Sequence, residues 1–267
     1  MHAMKIYFFY NKAFIDVKNY FVNSMKDDFE LCPIDLDEKF KIGRWSLGGK
    51  DDEKVALWLF KTENLIKCIE DNFSKNNIII FSDTDIQFFR PVIPTIEKLM
   101  QGKDMCFQRE FTHSDINVNI GFIAIRCNQN SLQFWKNILN MIVHTASWDQ
   151  IIVNSMLFAY KQKQNYNTEV MTNIYVNIFS KRRKPHKSVI NYFDKTGRVV
   201  CFDSFEEDVE QIKNSDLLWG VFPPKICASS HDIIPPDIEM HHVNLEGGNA
   251  EVKLIAMKDI AKMVCER

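Results

Sequence analysis

The 267-residue chain carries almost no net charge, −2 from 33 basic and 35 acidic residues. That excludes the broad basic field with which nucleic-acid-binding domains gather phosphates. No apolar run approaches the ~18 residues that a membrane-spanning helix needs. No C-x-x-C occurs: the seven cysteines are scattered singly, in odd number and without metal-ligand spacing. Such usage fits reduced core thiols in a cytosolic compartment, not a disulfide framework. The N-terminal run Met1 to Tyr10 is too short and too aromatic for a signal peptide and reads as a first strand. A cytoplasmic location is therefore expected. Internal repeats, low-complexity segments and linkers are also missing. What is present is a 46% apolar chain, long enough for one large α/β domain or two small ones.

Its organising stretch is Ile78-Ile79-Ile80-Phe81-Ser82-Asp83-Thr84-Asp85-Ile86. A short apolar run of this kind reads as a strand buried on both faces. Asp83 and Asp85 follow where it leaves the core. In extended chain, residues two apart face the same side, so both carboxylates are expected to converge at the carboxyl edge of a sheet. Open α/β sheets bind their ligands at that edge. Two close carboxylates repel, and burial makes charging either one harder. A divalent cation relieves both penalties, and Mg²⁺ or Mn²⁺ takes oxygen ligands together with substrate phosphates. The alternative is a solvated strand end bearing two surface acids.

Along the chain, Lys5–Tyr10 reads as a strand, 14–25 as a helix with Phe14, Val17, Phe21 and Met25 on one face, and 29–36 as a strand placed near an edge by Pro33. This β-α-β opening favours a parallel sheet. Gly43, Gly48 and Gly49 beside Arg44, Trp45 and Lys50 mark a loop. A helix runs from Asp51 or Asp52 to about Asp71, with Lys61 off its inner stripe, either solvated or reaching over the sheet edge. Further on come a short helix at 93–100 opened by Pro94, a strand at 104–108 and a strand at 120–126, in which Gly121 signals a close approach of backbone or ligand. An amphipathic helix at 131–144 precedes another at 151–160. Asp149, before that helix, is either a dipole partner for its N-terminus or an acid facing substrate. Strands are expected at 173–179, 199–202 and 217–222. The basic run 181–187 is a solvated face, with phosphate contact as the minority role.

A second cluster lies at Glu239-Met240-His241-His242-Val243-Asn244. Gly247, Gly248 and then Lys253 follow, at the start of a C-terminal helix closing near Val264. An imidazole completes a Mn²⁺ site well. A glycine turn ahead of a helix offers backbone N–H groups to phosphate, and Lys253 adds a point charge.

Four segments, in this order, resemble the GT-A-fold glycosyltransferases, in particular the nucleotide-diphospho-sugar transferase family. They are the D-x-D strand at 81–86, Asn119-Ile120-Gly121-Phe122 as N-x-G-F, Asp149-Gln150 as a D-Q pair, and His242-Val243-Asn244 with trailing Lys253 as H-x-N and its lysine. The resemblance implies an α/β GT-A (Rossmann-like) fold, with a mixed, mostly parallel central sheet and helices on both faces. It implies one domain over 1–267, with a nucleotide-binding half to about 110 and an acceptor- and sugar-binding half beyond. It implies Mn²⁺ or Mg²⁺ held by Asp83, Asp85 and His242, with His241 as the fallback. The donor would be a nucleoside-diphosphate sugar, UDP favoured, held at Tyr10, Asn11, Lys61, Thr84, Asn119, Gly121, Gly248 and Lys253. Asp149 and Gln150 would face the transferred sugar, and the acceptor would be a hydroxyl, as on a glycan. The sequence departs from the family at Leu245, where tryptophan is usual, and in the turn Glu246-Gly247-Gly248.

Two rival readings follow from the same acids. A haloacid-dehalogenase-type phosphatase would use Asp83 as nucleophile, but that motif belongs on a first strand, whereas here it lies past Asn77. A non-catalytic nucleotide-sugar-binding protein of the same fold would bind the donor without turning it over.

Overall fold

In a computed structural model, residues 3–37, 51–73, 77–110, 118–165, 217–228, 234–245 and 249–266 are described. The expected strands at 173–179 and 199–202, the glycine loop at 43–49, the basic run 181–187 and the Gly247-Gly248 turn all lie outside these residues.

The described residues form nine strands in one sheet: β1 Lys5–Tyr10, β2 Glu30–Asp35, β3 Ile78–Ser82, β4 Ile86–Phe88, β5 Met105–Arg109, β6 Val118–Arg126, β7 Trp219–Val221, β8 Ile226–Ala228 and β9 Met240–His242. The order is β2-β1-β3-β6-β5-β8-β9-β4, with β7 also on β5. Pairings β1–β2, β1–β3, β5–β7, β5–β8 and β8–β9 are parallel, while β3–β6, β5–β6 and β4–β9 are antiparallel. The sheet is thus mixed and mostly parallel, as the resemblance implied, and the β-α-β opening is parallel as read. Pro33 sits on β2, at an edge, where its missing N–H breaks no ladder.

Six α-helices are described: α1 Ile15–Ser24, α2 Asp51–Asn72, α3 Ile93–Leu99, α4 Gln129–Thr145, α5 Asp149–Asn165 and α6 Ala250–Cys265. Their termini follow local chemistry. Asn11 accepts from Phe14 N–H and opens a 3₁₀ turn, Lys12–Phe14, before α1. Asn128 and Ser131 form a reciprocal capping box on α4, and Asn249 caps α6 by accepting from Val252 N–H.

The chain divides into two compact units. The first holds the entire sheet with α1, α3 and α6. Its core joins Ile6, Phe8, Phe21, Ile80, Phe88, Ile96, Phe122 and Met240, so α1 and α3 share one apolar cluster with the sheet. Phe8 meets Phe21 edge-on at 5.1 Å, a favourable geometry worth about 1 kcal/mol beyond area burial. A second cluster, with Val17, Ile238, Val243, Met257 and Ile260, fastens α6 to α1 beside β9. The second unit holds α2, α4 and α5. There α2 packs on α4 and α4 on α5, with an ion pair from Lys136 to Glu70 at 3.0 Å.

The organising stretch differs from the expectation in one respect. It is not one strand running through the acids. β3 stops at Ser82, the chain bends across 83–85, and β4 begins at Ile86 in another part of the sheet. The reason is pairing: β3 is held between β1 and β6, whereas β4 pairs with β9.

Candidate metal and diphosphate site

The bend does the work assigned to strand alternation. Ser82 lies opposite Phe122 on β6, which brings Gly121 beside the start of the bend. There Asp83 N–H donates to Gly121 C=O at 2.6 Å, and Ser82 Oγ donates to Asp83 C=O at 2.8 Å. At its far end, Asp85 C=O accepts from Val243 N–H at 2.8 Å, and Ile86 pairs with His242. The backbone therefore carries both acids from the end of a central strand to the rung beside His242. Ligand atoms of Asp83, Asp85 and His242 all lie within 4.8 Å of one another.

Asp85 is buried at 6% exposure. Burial opposes its charge, but His242 and Lys253 more than offset that and hold the carboxyl well below the ordinary carboxylate range. His242 Nε2 lies 3.2 Å from Asp85 Oδ1, and the Lys253 ammonium donates to Oδ2. Lys253 comes from the first turn of α6, placed by the Asn249 cap. Two carboxylates and one imidazole converging in this way form a donor set that could hold a divalent metal ion. The same neighbours keep Asp85 ionised.

The imidazole is fixed from three sides. Its Nδ1 lies 3.0 Å from Gln108 Oε1 on β5, and its Nε2 faces Asp85. The third side is Gly121, where an added Cβ would stand 2.3 Å from His242 Cε1 and 2.8 Å from Nδ1. Gly121 thus permits the close approach its position in the strand suggested, and the N-x-G-F and H-x-N segments meet in space. Asn119 joins them: its Oδ1 accepts from Gly121 N–H at 2.7 Å, and its Nδ2 donates to Glu110 at 2.8 Å.

The remaining candidates fall elsewhere. His241 points to the opposite side of β9 from His242, opposite Gln87, and among the described residues it is not part of the acid–imidazole cluster. Thr84 is buried between the two acids. Tyr10 and Asn11 end β1, whose parallel register with β3, Phe8 opposite Ser82, puts them at the same sheet edge as the bend. Tyr10 has the Lys18 ammonium 5.3 Å from its ring centre, and Asn11 is engaged as a helix cap. Lys61 lies on α2. Asp149 and Gln150 open α5 and are buried, with Asp149 Oδ1 accepting from Gln150 N–H at 2.9 Å. These three belong to the second unit. Gly248 lies outside the described residues.

Sequence reasoning missed Gln108 and Glu110. The signal was there: Met105-Cys106-Phe107 runs into Gln108-Arg109-Glu110 as β3 runs into Asp83-Thr84-Asp85, a buried strand ending in polar residues two apart.

A family model described as nucleotide-diphospho-sugar transferase matches residues 69–196. The span takes in the D-x-D, N-x-G-F and D-Q segments; His242 and Lys253 lie beyond it. Curated proteins gave no match. Among solved structures, a glycosyltransferase involved in glycosylation of the major capsid of PBCV-1 is 11% identical, covering 97% of this chain and 100% of its own, with a TM-score of 0.48. Apo-form GlyE of Streptococcus pneumoniae is 10% identical over 79% of this chain and 63% of its own, with a TM-score of 0.42. Apo mouse xyloside xylosyltransferase 1 is 9% identical over 93% of this chain and 100% of its own, with a TM-score of 0.43.

Proposed function

We propose that this chain, which matches the nucleotide-diphospho-sugar transferase family model over residues 69–196, is a metal-dependent glycosyltransferase of the GT-A type. It moves a hexose or pentose from a nucleoside-diphosphate sugar, UDP favoured, to a hydroxyl of a glycan acceptor. The observation that carries this is the convergence of Asp83, Asp85 and His242 within 4.8 Å, with Lys253 on the same carboxylate. The singly scattered cysteines, without the pattern of a disulfide framework, favour the cytoplasm as its compartment.

Asp83, Asp85 and His242 would hold Mn²⁺ or Mg²⁺. When bound, the metal supplies Lewis-acid neutralisation of the charge that develops on the departing diphosphate. The chain's own residues do the rest. Lys253 presents a fixed cation to the same phosphates. Tyr10 and Asn11 would border the nucleoside, and Asn119 and Gly121 would line the donor; the resemblance assigns Asp149 and Gln150, in the second unit, to the transferred sugar. The acceptor hydroxyl oxygen forms a bond to the anomeric carbon. The bond from that carbon to the β-phosphate oxygen breaks, and the nucleoside diphosphate leaves with the electron pair and takes up the proton that the acceptor hydroxyl gives up. The resemblance favours retention, in which the acceptor oxygen would bond on the face from which the diphosphate departs.

The test is release of nucleoside diphosphate from a panel of UDP- and GDP-sugars, with and without Mn²⁺. Metal-dependent release from one donor is the expected result. Hydrolysis of a generic aryl phosphate with no donor turnover would overturn the reading in favour of a phosphatase.

Lys253 makes the sharper prediction, because it neutralises Asp85 in the ligand-free chain and would turn to phosphate in the complex. Lys253→Met is expected to bind Mn²⁺ alone more tightly, by about 2 kcal/mol or more, the repulsion between a unit and a double charge about 4 Å apart even at the dielectric of water. The same variant should bind Mn²⁺ with UDP more weakly. Calorimetric titration of each ligand into both proteins reads the two opposite signs.

A further inference from the structure

Glu110 stands at the end of β5, half-buried, one residue past Arg109. Its two carboxylate oxygens accept from two side-chain amides that come from distant parts of the chain. Oε2 takes Asn119 Nδ2 at 2.8 Å, and Oε1 takes Asn244 Nδ2 at 3.0 Å. Asn119 opens the N-x-G-F segment, and its Oδ1 holds Gly121 N–H. Gly121 in turn forms the wall against which His242 rests. Asn244 follows His242 by two residues, in a turn where Asn244 N–H donates to His242 C=O at 3.0 Å and Leu245 N–H to Val243 C=O at 3.0 Å.

We infer that Glu110 is a positioning residue for the donor site: one carboxylate clamps Asn119 and Asn244 and so fixes the two segments that hold the His242 imidazole. The inference rests on the transferase reading above and assigns a residue to it. A carboxylate suits the task for a specific reason. Both amides present N–H groups, so the joint needs two acceptors on one rigid group, and ionised acceptors make the stronger hydrogen bonds. An amide in its place keeps one acceptor oxygen and turns an NH₂ donor toward the other amide donor. Polar partners behind ligating groups matter on the scale of about 10–100-fold in affinity when they are lost.

The experiment measures binding of UDP, and of GDP in parallel, each with Mn²⁺, to the wild type, Glu110→Ala and Glu110→Gln at a temperature where all three are folded. Melting of the ligand-free proteins is recorded alongside. Glu110→Ala is expected to lose about tenfold or more in nucleotide affinity. Its ligand-free melting temperature should stay near that of the wild type, because the group is half-exposed. Glu110→Gln should recover part of the loss by keeping one of the two acceptors. Lowered melting with wild-type affinity in both variants would mean a merely structural role and would overturn the inference while leaving the transferase reading intact. Failure of the wild type to bind either nucleotide with Mn²⁺ would overturn the transferase reading and this inference with it.

Discussion

Asp85→Ala is expected to abolish metal-dependent nucleotide binding, by about 100-fold or more, the upper end of what losing even an outer partner of a metal ligand costs. Donor turnover should vanish with it. The fold should survive. Removing one member of a fully buried ion pair costs about 3–5 kcal/mol, because the partner is left charged and unpaired. Here the partners are better placed to adapt. Lys253, the charged partner, keeps 14% exposure and can turn its ammonium to water. A fall in melting temperature without loss of cooperativity is the expected trace. Asp85→Asn separates charge from shape: it keeps the volume but should lose binding to the same degree. The acid dependence carries the same signature. Burial works against the Asp85 charge, but His242 and Lys253 hold the carboxyl below its ordinary value of 3.8. A depressed value means that this charge stabilises the folded chain at every pH above the unfolded value, and that the contribution is given up as pH falls toward the folded one. Asp85→Asn should lack that part of the acid-induced loss.

Gly121→Ala has the second-largest expected effect, and it acts through His242. An alanine Cβ would lie 2.3 Å from Cε1 of the imidazole. The ring cannot yield cheaply, since Gln108 and Asp85 hold its two nitrogens. Overpacking of this kind costs about 1–3 kcal/mol. If the ring swings away instead, the cost appears as about 10–100-fold weaker Mn²⁺-dependent nucleotide binding. Gly220→Ala is the matched control. Its Cβ would meet the end of the flexible Lys103 side chain at 2.9 Å, away from the acid–imidazole cluster, and a change within about 0.5 kcal/mol is expected. Calorimetric nucleotide titration and thermal melting of both variants check the contrast.

These two sites show what could be read from the sequence and what could not. Asp83 and Asp85 were legible because an apolar run broke into carboxylates. Gly121 was legible because a glycine inside a strand needs a reason. His242 could not be told from His241 on composition. The register of β9 against β4 decides it, placing His242 opposite Ile86 and beside Asp85, and register depends on long-range pairing. The bend at 83–85 was hidden for the same reason, since alternation along a continuous strand predicted the same convergence. β8 and β9 are three residues each, too short for any periodicity to mark them, yet they bring the imidazole to the acids. Glu110 was invisible because its meaning lies in two partners, 9 and 134 residues away.

The central claim is that the acid–imidazole cluster grips a cation that in turn grips a diphosphate. Thermal melting of the wild-type chain tests it most directly, with UDP or GDP alone, Mn²⁺ alone, and the two together. A ligand bound at 100 times its dissociation constant stabilises the folded state by about 2.7 kcal/mol. The account predicts a rise of several degrees with nucleotide and metal together and little with either alone. An equal rise with nucleotide in the presence of a chelator would contradict it.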